Sequence, residues 1–427
     1  MQQSGFTPYF WTQFLGAFND NFYKIACTML VTYRIAGVSR EEVNALVALA
    51  AGLFILAFFL FSATAGQLAD RFDKSLLIRW IKFVEIVVMG GAVCGFLLNS
   101  IPLLLFIIFC MGSQSAFFGP VKYSVIPELL PEERLIRGNG LVESSTFISI
   151  LTGTILGGFS IALSGDSFAE LQARLLAAGT GLQISIVSQE ALIVTCCGVL
   201  LLAIAGFLCS LRIPRVGARD TAVRIDWNII RITARNLRYI RQGRLIFWSI
   251  LSISLFWFYG ALTLQVIPGF SRFYLGGGET VFTLCLMMFS IGIGAGSALC
   301  SFLSKGYIRP QVMSLGLIGL VLSPLLTLLC GRWLPGVMFS LLLIGAAGGL
   351  YVVPLYATVQ DRCPHGQLSR TIAAGTILDA LFMVVASMLL KVLTGNGMEE
   401  RFVMLVLSGI TLLFGVAAVA RVSEFRI

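Results

Sequence analysis

The chain is 427 residues long, with 57% hydrophobic and only 12% charged residues, and its mean hydropathy is +0.91. In soluble globular chains roughly half of the residues are apolar and about a quarter are charged, so this composition excludes an ordinary soluble protein and predicts a polytopic membrane protein. The formal net charge of +9 then indicates contact with anionic inner-leaflet lipids and argues against nucleic-acid binding.

Apolar runs of about 20 residues, the length that spans about 30 Å of hydrocarbon, recur along the whole chain. Unpaired backbone groups find no water in hydrocarbon, and these runs are longer than barrel strands, so we predict an all-α membrane protein with twelve transmembrane helices. The predicted spans are 8–33, 42–66, 77–98, 101–127, 137–163, 190–212, 244–268, 280–304, 309–330, 334–358, 368–393 and 401–421.

The Lys and Arg residues in the joints between spans predict the orientation. With both termini in the cytoplasm, the inward joints, among which we count Lys82, hold 22 of the 30 basic residues and the outward joints hold seven. The positive-inside rule therefore places both termini in the cytoplasm. The N-terminal stretch MQQSGFTPYF lacks a basic region and runs into a span too long for a signal-peptide core, so we expect the first helix to be retained.

The residues that usually carry metal or nucleophilic chemistry are scarce. The chain has one histidine, and its ten cysteines form no C-x-x-C pair. We expect these cysteines to be buried packing residues, as free cysteines usually are. We therefore predict no metal site, no cofactor and no enzymatic activity.

A charged stretch at 212–243 separates two regions, 1–211 and 244–427, that each hold six predicted spans. Within it, basic and apolar residues fall on different faces of a helix, which is typical of a helix lying on the inner leaflet. These residues are Arg224, Arg231, Arg235 and Arg238 on one face and Ile230, Leu237 and Ile240 on the other. The stretch is therefore predicted to be a basic, amphipathic cytoplasmic linker between two six-helix bundles.

The sequence GQLADRFDK, at residues 66–74, lies between predicted spans two and three. It resembles the loop signature G-x-L-A-D-R-x-G-R of the major facilitator superfamily, with Asp73 and Lys74 replacing the second Gly and the final Arg. The resemblance implies two pseudo-symmetric six-helix bundles. We interpret Gly66, Asp70, Arg71 and Lys74 as a conformational latch, with the two basic residues facing anionic headgroups; a solvated loop is the alternative.

A closer resemblance covers nearly the whole chain. It is carried by FLGAFNDN at 14–21, FFGPVKYSVIPELL at 117–130 and NGLVESST at 139–146. These stretches are similar to the bacterial lysophospholipid transporter family, a branch of that superfamily. The resemblance implies inward movement of lysophosphatidylethanolamine and related lysolipids across the bacterial inner membrane for reacylation. It also implies a cytoplasmic acyltransferase and acyl-acyl-carrier-protein synthetase as a candidate partner, and we expect a monomer.

The first predicted span carries a polar cluster: Asn19, Asp20, Asn21 and Lys24. A helix that starts near residue 7 places Asp20 about 18 Å along its axis, close to the bilayer midplane. The i, i+4 spacing lets Asp20 and Lys24 face each other. We predict that the first three residues line a central cavity, where Asp20 attracts an ammonium group and Lys24 a phosphate. A buried pair that only fixes helix packing is the alternative.

Lys122 and Glu143 lie at similar depths, at the end of the fourth span and the start of the fifth. They could form an inner gate, or Lys122 could hold the lipid phosphate, with the adjoining Tyr123 as a further substrate contact. In the seventh span this chain has Gln265, where some members of the resembling family carry a basic residue. Gln265 is therefore a candidate contact without the positive charge that a phosphate-binding role would use.

Glu85 and Asp379 are isolated acids within predicted spans three and eleven. Each is a candidate for cavity lining or cation coupling, because intramembrane carboxylates usually face a polar cavity. The alternative is local hydrogen bonding, for instance between Asp379 and Thr376.

Two other functions stay open at this stage. A proton-coupled exporter of amphiphilic drugs would use Glu85 or Asp379 as its protonatable acid. A non-transporting scaffold would dock an acyltransferase through the basic inward face, including 212–243. Neutralising Asp20 should abolish transport but leave a scaffold intact, so this substitution separates transport from docking.

Overall fold

A computed structural model describes residues 3–33, 40–98, 100–162, 189–217, 225–277, 279–304, 307–364 and 366–423. Within these ranges every regular element is a helix, and twelve of the helices are long. They are α1 (Gln3–Tyr33), α2 (Arg40–Arg71), α3 (Lys74–Leu97), α4 (Ile101–Ser124), the short α5 (Ile126–Leu129), α6 (Leu135–Ala162), α7 (Gln189–Leu211), α8 (Ile229–Gln242), α9 (Arg244–Gly269), α10 (Glu279–Ser304), α11 (Pro310–Leu329), α12 (Leu334–Arg362), α13 (Leu368–Gly395) and α14 (Glu400–Ser423).

The twelve long helices correspond to the twelve predicted spans, so the all-α membrane fold is confirmed. By length and composition, eleven of the described helices are apolar enough to cross a membrane. The remaining long helix is α1, with 31 residues, whose polar cluster lowers its hydropathy. Its length of about 46 Å, at 1.5 Å per residue, is still more than enough to span the hydrocarbon.

The fourth predicted span, 101–127, is divided in the structure between α4 and α5. Pro127 has no backbone N–H and cannot donate to the carbonyl of Tyr123, four residues earlier. That carbonyl is therefore left to accept a hydrogen bond from elsewhere in the molecule, which becomes important at the candidate site.

The long helices pack as an N-terminal half (α1 to α7) and a C-terminal half (α9 to α14). In the first half α1 packs on α6 and α2 packs on α4; in the second, α12 packs on both α10 and α11. Close approach depends on glycine: a Cβ at Gly157 would collide with the Phe22 carbonyl, and one at Gly296 with the Ala346 carbonyl. The halves meet where α2 and α4 pack on α13 and where α6 packs on α10 and α12.

Helix α8 lies against α2, α9 and α13 through a buried face formed by Ile232, Asn236 and Ile240. Four arginines of α8, at 231, 235, 238 and 241, are exposed, in agreement with a basic outer face. The predicted apolar face is only partly correct, because Ile230 is 83% exposed while Ile240 is buried. Arg224 lies outside the described residues.

Candidate substrate cavity and its closure

A cavity of about 460 Å³ lies between the two halves, lined by residues from α1, α2, α3, α4, α6, α9, α12 and α13. Its wall combines apolar side chains with a set of polar and charged ones. The polar lining consists of Gln13, Asp20, Asn21, Lys24, Lys82, Gln114, Ser115, Lys122, Tyr123, Thr146, Trp257, Tyr356, Thr376 and Asp379. The cavity therefore offers charges of both signs next to apolar surface.

Three residues of the predicted cluster on α1, Asp20, Asn21 and Lys24, line this cavity. The Asp20 carboxylate accepts a hydrogen bond from Ser115 Oγ at 2.5 Å, and the Lys24 ammonium lies 4.4 Å from the centroid of the Phe54 ring. The ion pairs formed by the described residues do not include Asp20 with Lys24. Both charged groups are thus held by other partners, and both face the cavity.

Asn19 differs from its two neighbours, because successive residues of a helix point about 100° apart. Its side chain is fully buried, and its Nδ2 donates to Glu85 Oε1 at 3.0 Å. The structure therefore places Asn19 behind the cavity wall and not in its lining.

Glu85, predicted to be isolated, is the centre of a buried network. Besides Asn19, its carboxylate accepts hydrogen bonds from Lys82 Nζ at 2.6 Å and Gln114 Nε2 at 3.0 Å. Lys82, which the charge count places with the inward joints, has a side chain that is 1% exposed and lines the cavity. Sequence reasoning missed this pair, although its i, i+3 spacing inside an apolar run is a usable signal.

Asp379 on α13 also lines the cavity. Its carboxylate accepts a hydrogen bond from Ser254 Oγ of α9 at 2.6 Å. Thr376, suggested as its local partner, instead donates to the backbone carbonyl of Ile372 at 3.1 Å. The hydrogen bond of Asp379 therefore connects two helices of the C-terminal half.

Lys122 and Glu143 take separate partners. Lys122 Nζ donates to Thr146 Oγ1 at 2.8 Å, while Glu143 Oε1 accepts from the Tyr123 hydroxyl at 2.5 Å. Among the described residues, the ion pairs do not include Lys122 with Glu143, so the suggested direct gate pair is not formed. Lys122 and Tyr123 line the cavity, and the buried Glu143 orients the tyrosine from behind.

The cavity is closed at the end of the bundle that carries residues 66–74, here called the motif end. Tyr123 of α4 stacks on Tyr356 of α12, with ring centroids 4.0 Å apart and an interplanar angle of 5°. Trp257 Nε1 donates to the Tyr356 hydroxyl at 3.2 Å. The stack joins one ring from each half across the base of the cavity.

An amide pair reinforces this closure. Asn139 of α6 and Gln360 of α12 exchange two hydrogen bonds, of 2.6 and 2.9 Å. Gln360 Nε2 also donates to the backbone carbonyl of Tyr123 at 3.0 Å. This is the carbonyl that Pro127 leaves without a helical partner, so the proline in α5 makes a contact between the halves available.

Asp70, at the end of α2, binds the N-terminus of α13. One carboxylate oxygen accepts from the backbone N–H of Ser369 at 3.0 Å, and the other accepts from the backbone N–H and from Nε of Arg370, at 3.3 and 2.8 Å. A carboxylate at a helix N-terminus is favoured by the helix dipole and the unpaired N–H groups. Gly66 permits the close approach, since an added Cβ would lie 2.6 Å from Ala373 Cβ.

Arg71 and Lys74, the two basic residues of the motif, have different surroundings. The Arg71 guanidinium lies 5.5 Å from the centroid of the Phe72 ring. Lys74 is buried and forms a 2.6 Å ion pair with Glu128 of α5. Lys74 therefore does not face lipid headgroups as expected; it fixes the start of α3 to α5.

Gln265 is exposed on α9 and is not among the lining residues, so the structure does not bring it to this cavity. Within the described ranges, no group of three or more His, Cys, Asp or Glu side chains is arranged to hold a metal ion.

Comparison with known proteins identifies relatives of this chain. The profile of the Major Facilitator Superfamily matches residues 9–387. Curated proteins named Lysophospholipid transporter LplT, from Escherichia coli (strain SE11) and Shigella sonnei (strain Ss046), are each 26% identical to this chain over 359 residues, covering 82% of this chain and 78% of the relative.

Several solved structures share this fold, and their low sequence identity to this chain shows the fold alone. FucP, a superfamily transporter in the outward conformation, gives a TM-score of 0.76 with 13% identity over 97% of this chain and 98% of its own. The human organic anion transporter MFSD10 gives 0.74 with 14% identity over 98% and 99%. A bacterial homologue of ferroportin in an outward-facing state gives 0.68 with 14% identity over 97% and 99%. With the family profile spanning most of its length, the chain belongs to the Major Facilitator Superfamily.

Proposed function

We propose that this transporter moves lysophospholipids, including lysophosphatidylethanolamine, from the outer to the inner leaflet of a bacterial inner membrane for reacylation. The superfamily match makes the chain a transporter and not an enzyme. The substrate class is supported by the relatives named Lysophospholipid transporter LplT and by the sequence stretches described above.

The observation that carries the proposal is the mixed lining of the cavity. A lysolipid has a charged headgroup and one acyl tail, so its carrier needs both polar and apolar surface in one cavity. The N-terminal half supplies Asp20, Lys24 and Lys122, and the C-terminal half adds an apolar wall that includes Ile253 and Met383. Intramembrane charges that face a cavity are a usual sign of a substrate path.

In this proposal Asp20 attracts the ammonium group of the headgroup, and Lys24 and Lys122 attract its phosphate. Charge-assisted hydrogen bonds of this kind are about twice as strong as neutral ones. Asn21 and Tyr123 complete the polar contact, and Glu143 orients Tyr123. The motif residues Gly66, Asp70, Arg71 and Lys74 act as the conformational latch and make no substrate contact.

The motif end is assigned to the cytoplasm by the excess of basic residues in the joints on that side. The exposed arginines of α8 would then contact anionic inner-leaflet lipids, with 212–243 as the linker between bundles 1–211 and 244–427. Lysolipid delivered to the inner leaflet would be consumed by a cytoplasmic acyltransferase and acyl-acyl-carrier-protein synthetase. We expect the transporter to work as a monomer.

Uptake of labelled lysophosphatidylethanolamine by spheroplasts that express this chain tests the proposal, with diacyl phosphatidylethanolamine as the control lipid. We expect saturable uptake of the lysolipid and none of the diacyl lipid above the empty-vector level. A well-expressed, folded protein that gives no lysolipid uptake would overturn the proposal. Proton-driven efflux of amphiphilic drugs from the same cells would instead identify an exporter.

A further inference from the structure

The Lys82 ammonium occupies a notch in the cavity wall. Its Nζ bonds to Glu85 and lies 4.9 Å from the centroid of the Phe118 ring. Gly16 of α1 also adjoins this ammonium, since an added Cβ there would collide with Nζ. Only the missing side chain at Gly16 leaves room for the charge at the surface of the cavity.

This ammonium retains hydrogen-bonding capacity. A lysine ammonium has three donors, and Lys82 makes one hydrogen bond with the described residues, to Glu85. The other two donors have an aromatic face and the cavity as their surroundings. A buried cation with unused donors that lines a cavity can bind an anionic group that enters there.

Glu85 does not depend on Lys82 alone. Asn19 donates to one of its oxygens and Gln114 to the other, both at 3.0 Å. If Lys82 turned towards a ligand anion, the carboxylate would keep two hydrogen bonds. Removing one partner of a buried ion pair is costly when the other is left unpaired, and these two amides reduce that cost.

The same wall carries an acid close to this cation. Asp20 accepts from Ser115, whose neighbour Gln114 donates to the oxygen of Glu85 that Lys82 also contacts. Ser115 Oγ further contacts Gln114 Oε1 at 3.2 Å. One continuous polar chain thus connects the negative group at Asp20 with the positive group at Lys82, so the same wall offers one site for each charge of a headgroup that carries both a phosphate and an ammonium.

We propose that Lys82 binds the phosphate of the lysolipid headgroup, with Glu85 as its counter-ion when the cavity is empty. The inference rests on the proposed function and adds a specific phosphate contact to it. In this arrangement a phosphoethanolamine group lies along the N-terminal wall, with its phosphate at Lys82 and its ammonium at Asp20.

The test measures KM and maximal rate for lysophosphatidylethanolamine uptake, together with competition by uncharged monoacylglycerol. We expect Lys82→Gln to raise KM about tenfold or more, the effect of losing a charged hydrogen bond, and to leave monoacylglycerol competition unchanged. Lys82→Arg should keep most of the affinity. Because Nζ is the flexible end of the side chain, Gly16→Ala should fold, displace the ammonium and raise KM in the same way.

Gly206→Ala is the matched control, since its added Cβ would lie 3.8 Å from Lys82 Cδ, an ordinary contact. A purely structural ion pair predicts that Lys82→Gln combined with Glu85→Gln restores KM, whereas phosphate binding predicts that KM stays raised. Rescue by the double variant, or a Lys82→Gln KM within twofold of wild type, would overturn the inference while wild-type uptake still supports the proposed function. Absence of wild-type uptake would instead overturn the proposed function.

Discussion

The two halves of the transporter contribute different chemistry to one cavity. Of the described residues that line it, the N-terminal half supplies four charged side chains in the membrane interior, and the C-terminal half supplies one, the acid Asp379. The four are Asp20, Lys24, Lys82 and Lys122. The C-terminal wall is otherwise mostly apolar, including Ile250, Ile253 and Met383. A pseudo-symmetric scaffold can thus hold a headgroup on one side and an acyl chain on the other.

The cavity has one acid from each half, and the two can be compared directly because each carboxylate accepts a hydrogen bond from one serine hydroxyl. Asp20 accepts from Ser115 at 2.5 Å and Asp379 from Ser254 at 2.6 Å. Asp20 shares the lining of its half with three lysines, whereas Asp379 is the one charged side chain that the described residues of the C-terminal half contribute to the lining. Equivalent substitutions at the two positions therefore separate a headgroup role from helix packing.

The largest effect is expected from Asp20→Asn. Asparagine keeps the size and can still accept from Ser115, so only the negative charge is lost. We expect lysophosphatidylethanolamine uptake to fall at least tenfold, the effect of losing a charged contact. Asp379→Asn, measured in parallel, should reduce uptake less than threefold.

An equal loss of uptake in these two variants would contradict the assignment of the headgroup to the N-terminal half and the acyl chain to the C-terminal half. Loss in Asp379→Asn alone would move the headgroup site to the C-terminal wall. Surface expression and gel-filtration profiles of both variants serve as the folding control.

The second effect concerns the contact that joins the halves. Asp70→Ala removes three hydrogen bonds to α13, so the motif end should open more often. Cys363 reports this opening: burial raises the pKa of its thiol to about 11, and its Sγ lies 3.3 Å from Thr371 Oγ1. We expect its labelling by a membrane-impermeant maleimide to rise about tenfold, because charged hydrogen bonds contribute about 1.5–3 kcal/mol.

Inside-out vesicles and mass spectrometry of the peptide that contains Cys363 provide the measurement. Asp73→Ala, three residues further along the motif, is the control and should leave labelling unchanged, because the hydrogen bonds that Asp73 makes with described residues go to Ser75 and Gly217. An Asp70→Ala protein that labels at the wild-type rate would show that the latch is not needed for closure.

A smaller effect is expected from the apolar wall. Ile253→Thr places a hydroxyl on the C-terminal side, where we assign the acyl chain. KM for lysolipid should rise about fivefold, comparable to the loss of one buried methylene group. Inhibition by water-soluble glycerophosphoethanolamine should not change, because that compound has no chain.

Ile253→Val is the control for side-chain size alone. If Ile253→Thr weakened inhibition by the chain-free headgroup as much as it weakened lysolipid uptake, the two halves would not divide the ligand between them.

The smallest effect compares the starts of two long helices, one in each half. Asp73 caps α3 by accepting from the backbone N–H of Ser75 at 2.8 Å, whereas Arg309 before α11 makes no such side-chain bond. Asp73→Ala should therefore cost about 1 kcal/mol of stability. Arg309→Ala should cost close to nothing, as measured by thermal unfolding in detergent.

The cap also predicts a pH dependence. Partial burial alone would raise the pKa of Asp73, but hydrogen bonds from Ser75 and Gly217 outweigh it and lower that pKa. The pKa of Asp73 is lower in the folded than in the unfolded chain. The cap therefore stabilises the folded protein fully at pH values above the ordinary pKa of about 3.9, and this stabilisation is lost as the pH falls through the folded-state pKa. The stability difference between wild type and Asp73→Ala should therefore shrink as the pH is lowered below the ordinary pKa. A difference that stays constant with pH would contradict the role of Asp73 as the cap of α3.

Sequence reasoning predicted the fold well because span length and hydropathy follow directly from the bilayer. It identified Asp20 and Lys24 because a charge inside an apolar run is conspicuous. It assigned Asn19 to the cavity because the orientation of α1 about its axis is set by tertiary packing. It counted Lys82 with the inward joints although this residue lies within predicted span 77–98, because charge in an apolar run near a span end was read as joint charge and not as cavity lining.

The contacts between the halves were largely beyond the sequence. Asn139 and Gln360 are 221 residues apart, and neither pattern nor periodicity pairs them. The same holds for Tyr123 with Tyr356, because stacking requires both halves to be closed at the motif end. A single sequence shows which polar residues lie within apolar spans, but their burial and their partners depend on how the two bundles meet.

The contact of Asp70 with α13 has a consequence for sequence divergence among related transporters. Two of its three hydrogen bonds come from the backbone N–H groups of Ser369 and Arg370. Every amino acid except proline provides that group. Side chains at 369 and 370 can therefore drift during evolution while most of the contact persists, whereas the carboxylate at 70 has no such freedom.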